Sequence, residues 1–312
     1  MKRLAAWWFA PAPAERLAAV RVFVGAFGLA WVGGRLMESY AVAKLGASHF
    51  RPTGVVRVLD APLPPSVTLA LGIVTCVLLA AFTVGALYRY TAPLAALGLL
   101  WVLTYRNSFG MIFHTENLLV MHVLALACAP AADAWSIDRA RRGSPPPVPD
   151  AGYGWILKLL AAITAATYLL AGIAKLRIAG VAWLDGEQLR NQIAVDNLRK
   201  ALLGDSIAPL ATPFLDHPSG FTIFSVLTIV LEVGAPLVLV HPRAAKLWAL
   251  SAWGFHVGVV FLMNIWFPYP LLGLAYLPLL RCERPFDWLI GWWRRRRAAT
   301  GGAGNVPPPT PG

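Results

Sequence analysis

The chain has 312 residues, of which 58% are hydrophobic and only 13% are charged, whereas soluble domains carry roughly 25% charged residues. This composition leaves more apolar surface than one soluble core of this length can bury, and it excludes an ordinary soluble protein. The formal net charge of +12 does not indicate nucleic-acid binding, because the basic residues lie in loops and in a terminal cluster beside apolar segments, where anionic lipid head groups are the usual partners.

The first fifteen residues resemble a secretory signal but are too short in their apolar part. The run Leu4–Ala10 is followed by prolines, whereas a signal peptide needs a longer apolar region and a cleavage site of small residues. We therefore predict an interfacial segment at residues 1–15, with Trp7 and Trp8 at the level of the lipid head groups.

Apolar segments then recur along the chain at the length of about 20 residues that a bilayer-spanning helix needs. The last two predicted spans share Leu247–Leu280, which contains no Asp, Glu, Lys or Arg and is interrupted by NIWFPYP. The eighth segment is shorter, and it either crosses the bilayer or re-enters it. The six preceding spans are predicted at Leu17–Met37, Ser66–Tyr88, Thr91–Tyr105, Asn117–Ala132, Trp155–Ala174 and Pro218–Val240.

These segments predict an all-α fold, a polytopic transmembrane bundle of seven or eight membrane segments without a soluble domain. The bundle extends over residues 16–290, with a basic, Pro/Gly-rich linker at 139–154 and a long outer loop at 175–217. Residues 291–312 form a basic tail whose Gly, Pro and Ala content predicts disorder.

Orientation follows from the distribution of lysine and arginine between the loops. With the N-terminus inside, the inner segments hold 15 Lys and Arg and the outer segments hold 10. We therefore predict a multi-pass protein of the cell membrane with both termini in the cytoplasm and the tail on the inner side.

Ionisable residues inside apolar segments are the candidates for chemistry, because a charge within the bilayer is costly unless it is paired or functional. Lys175 ends the fifth span, where it is either a boundary anchor or a base whose pKa is lowered by burial. Glu232 lies within the sixth span, either as a functional group or as a protonated residue bonded to a neighbouring helix.

The predicted topology brings further polar residues to the same depth near the outer face. His114 precedes the fourth span, and His256 lies in the outer half of the seventh. Candidate catalytic residues are Lys175, His114 and His256, and candidate substrate-binding residues are Asn117, Trp183, Asp185, Glu232 and Asn264. No spacing of cysteines, histidines and carboxylates predicts a metal site.

Three stretches together resemble a known family: FHTENLLVMHVLALACAPAADAWSID, YLLAGIAKLRIAGVAWLDGEQL and FHVGVVFLMN. In this order and rough spacing they are similar to the membrane domain of vitamin K-dependent gamma-carboxylases and their bacterial relatives, the horizontally transferred transmembrane (HTTM) domain proteins. The resemblance extends from about Arg16 to Leu280, and it is strongest at Gly172–Leu176 followed by Trp183, Asp185 and Gly186.

The resemblance implies quinone chemistry, because the animal enzyme oxidises vitamin K hydroquinone and carboxylates glutamate side chains. It implies that Lys175 is the base that deprotonates the hydroquinone and, more weakly, that His114 takes part. His256 matches a family histidine whose role does not transfer. We expect no counterpart of the large lumenal domain that helps the animal enzyme engage its protein substrate, so the resemblance does not extend to the carboxylation step.

Three functions stay open at the level of the sequence. The first is an enzyme-like membrane protein that acts on a quinone or another lipid-soluble molecule in an outer-facing cavity. The second is a non-enzymatic scaffold or protein partner with the same fold. The third is a small transporter, which receives less support because no paired broken helices occur in two related halves.

Overall fold

A computed structural model describes residues 2–110, 114–143, 145–286, 288 and 292, without the side chains of residues 114 and 115. This part of the chain is helical and contains no β-strand beyond an isolated bridge between Ala12 and Asp150. The predicted all-α fold is confirmed.

The helices follow one another with short connections. The α-helices are α1 (Lys2–Trp8), α2 (Ala14–Gly33), α3 (Leu36–Val42), α4 (Pro65–Val84), α5 (Tyr88–Asn107), α6 (His114–Ala127), α7 (Ile137–Arg142), α8 (Ala151–Ala179), α9 (Glu187–Leu202), α10 (Ala211–Leu215), α11 (Pro218–Val233), α12 (Pro242–Met263) and α13 (Pro268–Leu271). Short 3-10 helices occupy Ala43–Leu45, Ala47–His49, Gly54–Val58, Gly180–Asp185, Ala235–Leu239 and Leu274–Leu279.

Four helical segments in the described part of the chain are long and apolar enough to cross a membrane. They are Ala14–Gly33, Pro65–Val84, Ala151–Asp185 and Pro242–Met263, and two shorter apolar helices occupy Glu116–Ala127 and Pro218–Val233. By length and composition, the expected number of seven or eight membrane segments is therefore too high.

The physical reason is that apolar runs in the sequence do not reveal where a helix breaks. The predicted sixth span ends early because Gly234 and Pro236 follow α11, and the chain continues as a 3-10 turn. The predicted eighth segment contains Pro268, Pro270 and Pro278, and it forms only α13 and another 3-10 turn. A proline lacks the N–H that a continuous helix requires.

The segment after α12 nevertheless runs through the length of the bundle. Helix α8 has 29 residues, about 43 Å at 1.5 Å per residue. It begins beside the bridge between Ala12 and Asp150 and ends at the 3-10 helix Gly180–Asp185, which packs against α9. The Lys200 ammonium on α9 donates to the carbonyl oxygen of Met263, whereas Arg16 forms an ion pair of 2.7 Å with Glu283. The chain between residues 263 and 283 thus passes from the α9 end of the bundle to the end where α2 begins.

Candidate functional site

The Lys175 ammonium and the Glu232 carboxylate form an ion pair between α8 and α11. The Nζ atom lies 2.6 Å from Oε1 and 2.8 Å from Oε2 of Glu232. The lysine side chain is 24% exposed and the glutamate side chain only 4%. The two residues are 57 positions apart in the sequence, so this pair depends on the packing of the two helices.

A glycine allows the two helices to approach one another at this point. A Cβ atom added to Gly172 would lie 2.9 Å from the Cβ of Glu232 and 3.0 Å from Cγ2 of Val233. These distances are shorter than ordinary van der Waals contacts between carbon atoms. Because residues three apart share a helix face, the glycine brings α11 within reach of Lys175.

Trp183 completes the surroundings of the lysine. Its ring centroid lies 5.6 Å from Nζ of Lys175, within the range of a cation–π interaction, and the residue is only 5% exposed. The sequence-predicted residues Lys175, Glu232 and Trp183 therefore come together in the structure.

A second polar cluster lies on α8, two turns toward its N-terminus from Lys175. The hydroxyl of Tyr168 is 2.8 Å from Nε2 of His256 and 2.7 Å from the hydroxyl of Tyr276, and all three residues are buried. Tyr168 precedes Lys175 by seven residues, two turns of the same helix, about 10.5 Å along its axis. His256 is thus joined to the helix that carries Lys175.

A third cluster surrounds His122, which is completely buried on α6. Its Nδ1 atom lies 2.7 Å from the hydroxyl of Tyr269, and its Nε2 atom lies 3.1 Å from Oγ1 of Thr164. The same Thr164 oxygen is 3.0 Å from the carbonyl oxygen of Ala275. Since Ala275 precedes Tyr276, the 3-10 turn near the end of the chain connects the clusters around His122 and His256.

The spacing of residues along α8 predicts these clusters, although the residue types alone do not. Thr164, Tyr168, Gly172 and Lys175 are separated by four, four and three positions, which is the spacing of one helix face. Read as a stripe of polar and small residues on an apolar helix, this pattern predicts a functional or packing face on α8.

Other sequence-predicted residues have local roles. Asp185 is exposed, and its Oδ1 accepts a hydrogen bond of 2.9 Å from the backbone N–H of Glu187 at the start of α9. Asn264 ends α12 with a φ of 46°, and its amide donates to the carbonyl oxygen of Ser206. Asn117 is exposed on α6. His114 begins α6, and its side chain lies outside the described residues.

A large apolar groove lies between α9, α11 and α12. It has a volume of about 540 Å³, and its walls include Thr228, Leu231, Trp248, Gly254 and Gly258. None of the predicted catalytic residues with a described side chain lines it.

Among the described residues, no group of three or more His, Cys, Asp or Glu side chains could hold a metal ion.

The chain matches a family model described as the HTTM domain over residues 9–288. This match includes every candidate span and both helices of the Lys175–Glu232 pair. No curated protein and no solved structure matches the chain.

Proposed function

Because the chain belongs to the HTTM domain family of membrane proteins, we propose that it binds a lipid-soluble quinol and that the Lys175–Glu232 pair accepts a proton from it. The candidate spans associate with the lipid bilayer, which supplies such a ligand by lateral diffusion. The matching lysine of the family's carboxylase is the base in the resemblance described above, and Lys175 occupies that position here.

The partly buried ion pair is the observation that carries this proposal. Removing two charges from water is costly, and ionisable residues within membrane segments are functional candidates by default. The lysine side chain is 24% exposed while the glutamate is nearly enclosed. A ligand would therefore approach the ammonium first.

The geometry favours the pair, rather than an isolated lysine, as the proton acceptor. An ammonium that is paired with a carboxylate already carries its proton and has no lone pair to offer. When the O–H bond of the quinol breaks, the proton forms a new O–H bond on the Glu232 carboxylate. The Lys175 ammonium is then released from its partner and stabilises the quinolate anion by charge.

The orientation of the site follows from the charge distribution. With both termini cytoplasmic, α8 runs outward, and Lys175 lies near the outer face of the membrane. A lipid-soluble ligand would reach it from the outer leaflet.

The test measures the ionisation of a bound quinol in Lys175→Met, Lys175→Arg and Glu232→Gln. A matched control is Lys158→Met, which removes an ammonium from the same helix where it donates to the carbonyl oxygen of Trp7. Lipids are extracted from purified protein and identified by mass spectrometry, and the ultraviolet spectrum of an added hydroquinone reports the neutral and anionic forms.

We expect the wild type and Lys158→Met to bind the hydroquinone and to shift its spectrum toward the anion. Lys175→Met and Glu232→Gln each remove one member of the pair and abolish the shift. Lys175→Arg also abolishes it, because a guanidinium holds the Glu232 carboxylate in a two-point bond and so opposes its protonation. A full spectral shift in Lys175→Arg, or in Glu232→Gln, would contradict the proposed acceptor and favour a structural role for the pair.

A further inference from the structure

Helix α9 crosses one end of the bundle, from the first turns of α11 to the last turn of α12. Just before α9, the carbonyl oxygen of Asp185 accepts a hydrogen bond of 2.6 Å from the hydroxyl of Thr222 in α11. In the second half of α9, the amide of Asn197 donates a hydrogen bond of 2.9 Å to the carbonyl oxygen of Leu262 in α12. Phe221 of α11 and Leu262 belong to one apolar cluster, so the beginning of α11 and the end of α12 lie on the same side of the bundle.

The end of a candidate span fixes the depth of α9. Helix α12 is long and apolar enough to cross a membrane, so its last residue, Met263, lies at a boundary of the apolar layer. The Lys200 ammonium donates to the carbonyl oxygen of Met263, and the backbone N–H of Leu210 donates a hydrogen bond of 3.1 Å to the carbonyl oxygen of Phe261. Trp266, which is 66% exposed, follows at the same boundary, where membrane proteins are enriched in tryptophan. Helix α9 therefore lies at the depth of the lipid–water interface.

Three interleaved stripes of residues give α9 three different sides, because residues three and four positions apart share one side of a helix. The side toward the bundle is buried and consists of Ile193, Asn197 and Lys200. A polar side consists of Gln192, Asp196 and Arg199. The third side is apolar and exposed, and it consists of Val195, Leu198 and Leu202, with exposed fractions of 64%, 60% and 78%.

The exposed apolar side of α9 is part of a wider apolar surface at this end of the bundle. Exposed apolar residues also occur at the end of α8 and in the turn after α9, namely Ile178, Val181, Leu203, Ile207 and Leu210. A lipid layer contacts every side chain at one depth, whichever segment carries it, whereas a protein partner covers a single patch with a buried apolar centre and a polar rim. The distribution of these residues over three segments therefore favours lipid.

We propose that α9 is a membrane anchor whose apolar side, Val195, Leu198 and Leu202, inserts among the acyl chains of the adjacent leaflet, which is the outer leaflet in the predicted orientation. Amphipathic helices of this kind lie in the plane of the interface, with the apolar side buried about 5–10 Å into the boundary between head groups and acyl chains. The polar side then faces the head groups and water. The long outer loop predicted at 175–217 thus lies partly in the membrane, whether or not the Lys175–Glu232 pair accepts a proton.

The test attaches an environment-sensitive fluorophore to single cysteines in a variant without the three native cysteines, in phosphatidylcholine nanodiscs that hold one copy of the chain. Leu198→Cys and Leu202→Cys probe the apolar side of α9. Gln192→Cys is the matched control, because it is exposed on the polar side of the same helix. Two quenchers are compared, a phospholipid with a nitroxide near the start of its acyl chain and iodide in the water. Val195→Cys repeats the measurement on the apolar side if a label at either other position lowers the melting temperature.

We expect the fluorophore on Leu198→Cys and on Leu202→Cys to emit at a shorter wavelength than on Gln192→Cys. The lipid nitroxide should quench these two labels at least about twofold more strongly than the control, because an inserted side lies at the depth of the first acyl carbons. Iodide should quench in the reverse order.

Equal quenching of all three labels by iodide would place the apolar side of α9 in water and overturn the proposal. Protection of Leu198→Cys and Leu202→Cys from both quenchers would also overturn it, because protein rather than lipid would then cover this side. The measurement is repeated in liposomes, where several copies can meet. Loss of the lipid quenching there would identify a second copy as the occupant and would likewise overturn the proposal.

Discussion

Gly172 of α8 lies directly against Glu232 of α11, three residues before the lysine that this glutamate binds. A side chain at this position would force the two helices to shift, since even a methyl group would lie 2.9 Å from the glutamate Cβ. The close approach of the two backbones and the formation of the ion pair are therefore two consequences of one glycine.

Gly172→Ala should lower the stability of the folded protein, because the added methyl group pushes α8 and α11 apart. Overpacking of a close contact costs about 1–3 kcal/mol, and the Val233 backbone nitrogen, 3.3 Å from the added atom, cannot yield as a side chain could. The measurement is thermal unfolding in detergent. Gly258→Ala serves as the control, because its Cβ meets open space, and it should leave the melting temperature unchanged or raise it. Equal melting behaviour of the two variants would contradict the close contact.

Removal of one member of the ion pair should destabilise more than removal of both. Breaking a buried pair leaves an uncompensated charge, at a cost of about 3–5 kcal/mol, which the partial exposure of Lys175 reduces. Lys175→Met and Glu232→Gln should each lower stability, whereas the double variant should recover most of the loss. A double-mutant cycle on unfolding free energies measures this coupling, and strictly additive losses would show that the two side chains do not interact.

The sequence predicts the class of this fold well and its contacts poorly, for physical reasons. Apolar content is a property of the whole chain, so it identifies a helical membrane protein without any knowledge of packing. Lys175 and Glu232 were both recognisable because charge is costly in an apolar segment. Their pairing was not, because it depends on the packing of α8 against α11.

Neutral polar residues escaped the sequence analysis for a related reason. Tyr168, Thr164, Tyr269 and Tyr276 carry no charge, so nothing in their type separates them from packing residues. His122 contacts Thr164 of α8 and Tyr269 of α13, and His256 contacts Tyr168 of α8. These hydrogen bonds depend on the packing of segments that are far apart in the sequence. The predicted number of spans is too high because the apolar character of a segment does not show that the glycines and prolines within it end the helix.

Tyr168→Phe should destabilise the bundle core without changing its shape. The variant removes a hydroxyl that lies within hydrogen-bond distance of both His256 and Tyr276, and each buried polar group that loses such a bond costs about 1–3 kcal/mol. Unfolding measurements on Tyr168→Phe, compared with Tyr90→Phe at an exposed position, test the network. A loss of stability no greater than that of the exposed control would exclude it.

The attachment of α9 should depend on pH through Asp196. Burial raises the pKa of this carboxyl, but hydrogen bonds from Lys200 and Arg199 and their positive charges outweigh this, and the pKa lies below its ordinary value. Because the folded pKa is depressed, the stabilisation is present above the unfolded pKa of about 3.9 and is lost as the pH falls through the folded pKa.

The measurement is the hydrogen-exchange protection of α9 at neutral pH and at a pH below the folded pKa of Asp196. Asp196→Asn should reduce protection at neutral pH, since Lys200 loses the partner that directs it toward the carbonyl oxygen of Met263. The difference from the wild type should vanish at the lower pH, where both side chains are uncharged. Asp205→Asn, in the exposed turn after α9, should match the wild type throughout. A difference for Asp196→Asn that persists unchanged in acid would contradict this role.

Both chain termini should be cytoplasmic. Arg16 and Glu283 form an ion pair of 2.7 Å, so the described chain ends at the same end of the bundle at which α2 begins. The excess of lysine and arginine in the segments that the sequence predicts on that side, 15 against 10, predicts that this side faces the cytoplasm. In a variant without the native cysteines, an impermeant maleimide applied to intact cells should label Asp205→Cys beyond α9. It should not label a cysteine that replaces Lys2 or one that follows Gly312 until the membrane is opened. Labelling of one terminus alone would contradict the passage of residues 263–283 through the bundle. Labelling of both termini in intact cells would show the opposite orientation, with Lys175 near the inner leaflet.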